Sequence, residues 1–134
     1  MSGKSPVRIG FIGLSPNAWW GSSAHWPYLK QSDKYRIVDL CNSSVESAEK
    51  AKAHFELPND VKCYGSAAEI AADDSVDLIV CSVRVDRHYA AIKPALESKK
   101  PVYCEWPLAA NLTEVKELVS LGGARKNMVG LQAQ

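Results

Sequence analysis

Short runs rich in Val, Ile and Leu recur along the chain at 7–12 (VRIGFI), 35–41 (YRIVDLC), 61–64 (VKCY), 77–82 (DLIVCS), 101–104 (PVYC) and 127–131 (NMVGL). They are continuous rather than alternating, the pattern of strands buried on both faces of a parallel sheet. Helical periodicity fills the gaps. Val45, Ala48, Ala51 and Phe55 share one face, as do Tyr89, Ile92 and Leu96, and as do Leu112, Val115 and Val119. Capping-box spacing marks three helix starts, Ser43 with Glu46, Ser66 with Glu69 and Asn111 with Glu114, and Gly122-Gly123 marks a stop. Strand and helix therefore alternate along the whole chain. This predicts an α/β fold, a doubly wound parallel six-stranded sheet in which right-handed crossovers favour the order 3-2-1-4-5-6. No linker or repeat interrupts the pattern, so residues 1–134 read as one domain, with no second domain in the chain.

An apolar content of 46% supports a real core, and a net charge of +1 with scattered basic residues excludes a nucleic-acid stripe or a polybasic membrane patch. No apolar run approaches the ~18 residues of a membrane span, and the amino terminus lacks a signal-peptide core. The expectation is a cytoplasmic protein. Cys41, Cys63, Cys81 and Cys104 form no C-x-x-C pair and fall in or beside the strand runs. They read as packing residues, with no metal. Lys99-Lys100 and Arg125-Lys126 read as solvated turns.

In an open sheet of this kind, ligands sit at the carboxyl ends of strands where the strand order reverses, here after the first and fourth. The first such turn begins GFIGLSPNAWW at residue 10. Gly13 permits a sharp exit from the strand. Amides near Gly21-Ser22-Ser23, opening the next helix, would face a diphosphate. Ser15 stands where a second glycine would admit the phosphates, and its hydroxyl can donate instead. The loop is long, which lets Gly21 take the third glycine's place. At the end of the second strand, Asn42-Ser43-Ser44 supplies no acid to repel a 2′-phosphate and no arginine to grip one. That favours NADP over NAD without excluding NAD. Ser43 and Ser44 also suit a helix cap.

GFIGLSPNAWW at 10–20 with HWPYL at 25–29, DLIVCSVRVDRHY at 77–89, PVYCEWPLA at 101–109 and VGLQAQ at 129–134 together resemble the amino-terminal domain of the glucose–fructose oxidoreductase / inositol dehydrogenase (Gfo/Idh/MocA) family. Within it, the branch of fungal galactose-regulon repressors and dehydrogenase-like relatives shares the stretched loop and the Glu-Trp pair. The resemblance implies a Rossmann domain that binds NAD or NADP, with much of the substrate site on a further domain. It implies that Gly13, Ser15, Trp20 and Gly21 line the dinucleotide loop and that Asn42 and Ser43 lie near the adenosine ribose. Ser82, Val83, Arg84 and His88 would flank the cofactor after the fourth strand, and Glu105, Trp106 and Pro107 would approach the nicotinamide.

Where most of that family has Glu-Lys-Pro, this chain has Glu105-Trp106-Pro107. The family lysine assists hydride transfer, whereas an indole has one N–H and no titratable proton. Acid–base assistance is worth roughly 10²–10⁴-fold, so catalysis is poor unless another group substitutes. His88, after the fourth strand, and Trp106 are the catalytic candidates, and His25 reads as a helix-face residue. Trp19, Trp20 and Trp26 read as cover for the sheet or a subunit contact. The leading expectation is the dinucleotide-binding part of an oxidoreductase, with a carbonyl or polyol substrate and little turnover from this domain alone. Two alternatives stand beside it. One is a non-catalytic cofactor-sensing module acting through a regulatory protein partner, cytoplasmic or nuclear. The other is a homodimer scaffold.

Overall fold

A computed structural model describes residues 4–123 and 127–130. The strands are β1 (Val7–Ile12), β2 (Tyr35–Cys41), β3 (Lys62–Tyr64), β4 (Leu78–Cys81), β5 (Val102–Glu105) and β6 (Met128–Gly130). Every neighbouring pair is parallel, in the order β3-β2-β1-β4-β5-β6. The fold is thus an α/β sheet of the doubly wound type, as the alternation predicts. Residues 131–134, which close the VGLQAQ motif, and the expected turn at Arg125-Lys126 lie outside the described residues.

Among the described residues, five α-helices cover the sheet: α1 (Trp26–Gln31), α2 (Val45–His54), α3 (Ala67–Ala71), α4 (His88–Glu97) and α5 (Leu112–Gly122). Two apolar layers result. Ile9, Phe11, Leu40 and Val80 pack beneath α1 and α2, against Ala48, Ala51, Trp26 and Leu29. Ile12, Ile79, Cys81, Val102 and Cys104 pack beneath α3, α4 and α5, against Ile70, Ile92, Leu96 and Leu118. Gly10 lies under α3, where an added Cβ would stand 3.1 Å from Ile70, Val76 and Ile79 side chains. The helix can approach that closely because the side chain is missing.

Local signals hold in part. Asn111 Oδ1 accepts from Glu114 N at 2.9 Å, and Glu114 reaches back to the Ala110 N–H. At α2 the cap is Ser44, accepting from Ser47 N at 3.0 Å, one residue after the expected Ser43. Ser66 caps α3 by position without a side-chain hydrogen bond. On α5 the buried face is Val115, Leu118 and Gly122, whereas Leu112 and Val119 are 66% and 62% exposed. Val45 of α2 is likewise exposed. Both helices carry more apolar positions than one stripe needs, and packing decides which stripe turns inward.

Pairing of β1 with β2 slips by one residue. Ile9 faces Ile37 but Gly10 faces Asp39, so Val38 is an inserted residue. Such a bulge reverses the side-chain alternation beyond it. Asp39 thereby turns into the α3 layer, 1% exposed, with no donor on either carboxylate oxygen. Burial first, and then the neighbouring Asp73, push its pKa up to about 7. Asp73 stays ionised despite its own burial, because Ser75, Asp39 and the Tyr64 hydroxyl (2.7 Å) hydrogen-bond it. Asp39 is the protonated member of this pair.

Candidate functional site

Past the carboxyl ends of β1 and β4 lies a cleft with two connected halves that share Ala18, Ser82, Val83 and Arg84. The wide half, about 630 Å³, holds Gly13, Ser15, Asn42 and Ser43. The narrow half, about 330 Å³, holds Trp20, Gly21, His88, Glu105, Trp106 and Pro107. The dinucleotide-site positions named from the family resemblance therefore line these two adjoining halves at the switch point of the sheet, whereas Ser22 and Ser23 line neither. Arg87 and Ser47 on the wide side and Trp19 on the narrow side join them. Trp19 and Arg87 lie within the quoted stretches GFIGLSPNAWW and DLIVCSVRVDRHY without having been read as cleft residues, and Ser47 lies outside every quoted motif.

Gly13 leaves β1 with φ +97°, and a Cβ there would strike the Ser82 carbonyl oxygen and come within 2.6 Å of Val83. Only glycine lets the two switch-point loops touch. Ser15 Oγ accepts from Asn17 N at 3.3 Å, and Ala18 N–H bonds the Ser15 carbonyl. The hydroxyl proton stays available to a ligand. The following helix begins earlier than expected: Trp19 and Trp20 are already helical, and Ser22 N–H bonds Ala18 O at 3.1 Å. Ser22 is therefore no anion donor. An added Cβ at Gly21 would make only ordinary contacts of 3.5 Å and beyond, so close packing does not require a third glycine.

Asn42 braces the wide half. Its Nδ2 donates to Leu14 O at 3.0 Å and to Ser47 O at 3.4 Å, tying the β1 turn to α2, while its Oδ1 is buried without a partner. The rim carries Arg84, whose Nε lies 3.2 Å from Asp86 Oδ1, and Arg87. A short 3₁₀ turn, Val85–Arg87, presents both arginines before α4 begins.

His88 is not placed as an acid or base for a substrate. It is 2% exposed, with Nδ1 at 2.8 Å from Pro107 O and Nε2 at 2.9 Å from Val83 O. Both nitrogens meet acceptors, which requires both to carry protons. Burial pushes the pKa down, but the neighbouring Cys104 and the two carbonyls lift it to about 9. Cys104 moves the opposite way. A hydrogen bond from Cys81 and the adjacent imidazolium draw it below the ordinary thiol value, against its burial. Cys81, Cys104 and His88 thus form a buried cluster with ligand atoms within 4.8 Å of one another. Cys81 and Cys104 are paired positions on β4 and β5. Cys81 and Cys104, which read as separate packing residues, form with this histidine a buried clasp behind the narrow half.

Trp26 packs on Phe55, with ring centroids 5.2 Å apart, as sheet cover. Trp19 and Trp106, 67% and 58% exposed, stand at the mouth of the narrow half. His25 is no ordinary helix-face residue. Its Nε2 lies 3.3 Å from Glu105 Oε2, a contact spanning 80 positions that no local pattern announces.

A parallel α/β sheet with a glycine-turned cleft at its switch point defines a nucleotide-binding domain of the Rossmann class. The chain belongs to the oxidoreductase family with an NAD-binding Rossmann fold, whose pattern matches residues 7–133. It is 31% identical over 130 residues to the galactose/lactose metabolism regulatory protein of Kluyveromyces lactis, covering 92% of this chain and 28% of that protein. It is 37% identical over 131 residues to a dehydrogenase of Aspergillus oryzae, covering 93% of this chain and 36% of the other. A crystal structure of a Kluyveromyces lactis transcriptional regulator superposes with a TM-score of 0.79 at 29% identity, covering 94% of this chain and 32% of that one. The chain therefore spans about a third of the length of these relatives. Among the described residues, no helix is long and apolar enough to cross a membrane.

Proposed function

We propose that this domain cradles a nicotinamide dinucleotide for an oxidoreductase-type protein. The observation that carries the reading is the Gly13 turn, pressed against Ser82-Val83 at the strand-order reversal of a family fold. In this reading the diphosphate lies over the turn, taking the Ser15 hydroxyl and the free amides of the first helical turn at Trp19-Trp20. Asn42 and Ser43 serve the adenosine ribose, where Asn42 Oδ1 is an unsatisfied acceptor. Ser82, Val83 and Arg84 form the floor, and Trp20, Gly21, Glu105, Trp106 and Pro107 surround the nicotinamide end, with His88 bracing that wall. The dinucleotide supplies hydride chemistry; the protein positions it and excludes water. NADP is favoured over NAD, because no carboxylate follows β2 and Arg84 and Arg87 stand on the rim of the wide half. The second substrate is a small carbonyl compound or polyol, and little turnover is expected from this domain alone.

Titration with NADPH and NADH, followed by tryptophan fluorescence and calorimetry, tests the cradle. Trp19, Trp20 and Trp106 border the nicotinamide half, so quenching with micromolar affinity is expected, tighter for NADPH. No quenching and no heat with either dinucleotide would refute it.

Trp106 favours a second reading, a cofactor-sensing module that binds without turnover and contacts a regulatory protein, in the cytoplasm or the nucleus. The regulatory relative fits this reading. A partner whose capture is indifferent to dinucleotide would remove it. A homodimer would bury the exposed Leu112 and Val119 of α5. Light scattering at the 14.7 kDa monomer mass would exclude that.

A further inference from the structure

The narrow half of the cleft poses a chemical problem. A carbonyl reduced there needs a proton at its oxygen, yet Trp106 has no titratable proton. Both His88 nitrogens are committed to carbonyls, and an arginine such as Arg84 does not release a proton. Among the described residues lining this half, Glu105 is the carboxylate. Its side chain is 6% exposed and its Oε2 lies 3.3 Å from His25 Nε2.

The placement of His25 depends on a local departure from α-helix. Gly21–His25 is a π-turn, and Trp26 N–H bonds Gly21 O five residues back. Single π-turns inside helices re-aim side chains and often mark functional sites. Here the turn puts the imidazole among three rings, Phe11, Trp20 and Tyr103, with centroids 6.1, 6.2 and 5.9 Å away. The Trp20 and Tyr103 contacts are close to perpendicular, at 88° and 85°. These contacts hold the ring plane towards Glu105. On its other side, His25 borders a separate cavity of about 420 Å³ beneath α1, with Tyr28, Tyr35 and Tyr103. Glu105 thus borders the cleft, His25 borders a second opening, and a hydrogen bond joins them across the sheet end.

We propose that Glu105 and His25 form a proton relay serving the nicotinamide end of the cleft, in place of the lysine that Trp106 displaces. The proposal rests on the dinucleotide reading above. In carbonyl reduction, one hydride from the reduced ring adds to carbon and one proton from the pair goes to oxygen. The products are the alcohol and the oxidised ring, and the pair recovers its proton from solvent through the cavity at His25. Alcohol oxidation runs the same transfers backwards. His25 acts through Glu105 and is a positioning and relay residue. The titratable or charged groups facing the pair are Tyr103 on β5, Tyr28 on α1 and Tyr35 on β2. Arg84 and His88 line the cleft side, and Cys104 lies buried behind it.

The test reads binding rather than turnover. An oxidised nicotinamide carries a positive charge that the reduced ring lacks. A lone Glu105 carboxylate therefore prefers the oxidised form, and a protonated His25 cancels that preference. The ratio of NADPH to NADP⁺ affinity should fall roughly tenfold between pH 5.5 and about pH 8.5, with a matching difference in proton uptake across buffers of unlike ionisation enthalpy. In His25→Gln the ratio should stay constant within about twofold, and in Glu105→Gln it should shift towards NADPH at high pH, with circular dichroism reporting that each variant is folded. A constant ratio in the wild-type chain overturns the relay while leaving the cradle intact. So does a ratio that still falls tenfold in folded His25→Gln, which assigns the proton to another group. Absence of binding by either dinucleotide overturns the cradle and the relay with it.

Discussion

Replacing Asp39 by Asn should flatten the pH dependence of stability and stabilise the protein above neutrality. Folded Asp39 holds its proton more tightly than the unfolded chain does, with a pKa raised from 3.8 to about 7. The stabilisation this confers is complete below the unfolded value and is lost as pH rises through the folded one. Three pH units at about 1.4 kcal/mol each set a ceiling of about 4 kcal/mol, and water penetration brings the expected loss nearer 2 kcal/mol. Asp73, held below the usual carboxylate range, has the opposite sign, but its contribution is constant above about pH 5. His88 and Cys104 titrate in opposite directions near neutrality and largely offset each other. The difference between wild type and D39N therefore isolates Asp39. An asparagine keeps the shape and offers Nδ2 as a permanent donor to the Asp73 carboxylate. Urea unfolding at pH 5 and at pH 8 should show the wild type losing about 2 kcal/mol that D39N retains. Parallel profiles for the two proteins, or a D39N chain less stable at pH 8, would refute the assignment of a protonated acid at the bulge.

Gly13→Ala should lower dinucleotide affinity more than tenfold and cost about 1–3 kcal/mol in thermal or urea unfolding, since a Cβ at φ +97° collides with the Ser82 carbonyl. An alanine variant with unchanged affinity would mean that the turn does not shape the site. His88→Gln should cost about 3 kcal/mol at pH 7.5, because a buried thiolate loses its cation and two carbonyls lose a charged donor. A loss below about 1 kcal/mol would show that the clasp is not ionised.

Much of this protein is written in local pattern. Continuous apolar runs located the strands to within a residue or so, because a strand buried on both faces carries mostly apolar residues on either. The Gly13 turn was legible because a left-handed exit from a strand admits little else. The Asn111 cap was legible because side chain and amide lie three residues apart. At α2 the cap lies one position beyond the Ser43 spacing, because Ser43 and Ser44 offer the same chemistry and only the path of the chain selects Ser44. The buried stripe of α5 was misread for a related reason. Val115 belongs equally to a stripe with Leu112 and Val119 or to one with Leu118 and Gly122, and the rotation of a helix on its sheet is a property of the sheet.

What tertiary structure alone decided are contacts between residues distant in the chain. Asp39 lies inside the continuous β2 run, and only the inserted Val38 turns it inward towards Asp73. Cys81, His88 and Cys104 look like two packing residues and a candidate base, until adjacent strands and a helix start bring them together in one buried cluster. His25 and Glu105 meet because a π-turn adds one residue to a helical turn and β5 ends beside it. Periodicity records which side of its own segment each residue occupies, and so it determines the elements and their order. Electrostatic partners are set by how those segments pack, because burial and distance, on which every charge interaction here depends, do not exist until the sheet has formed.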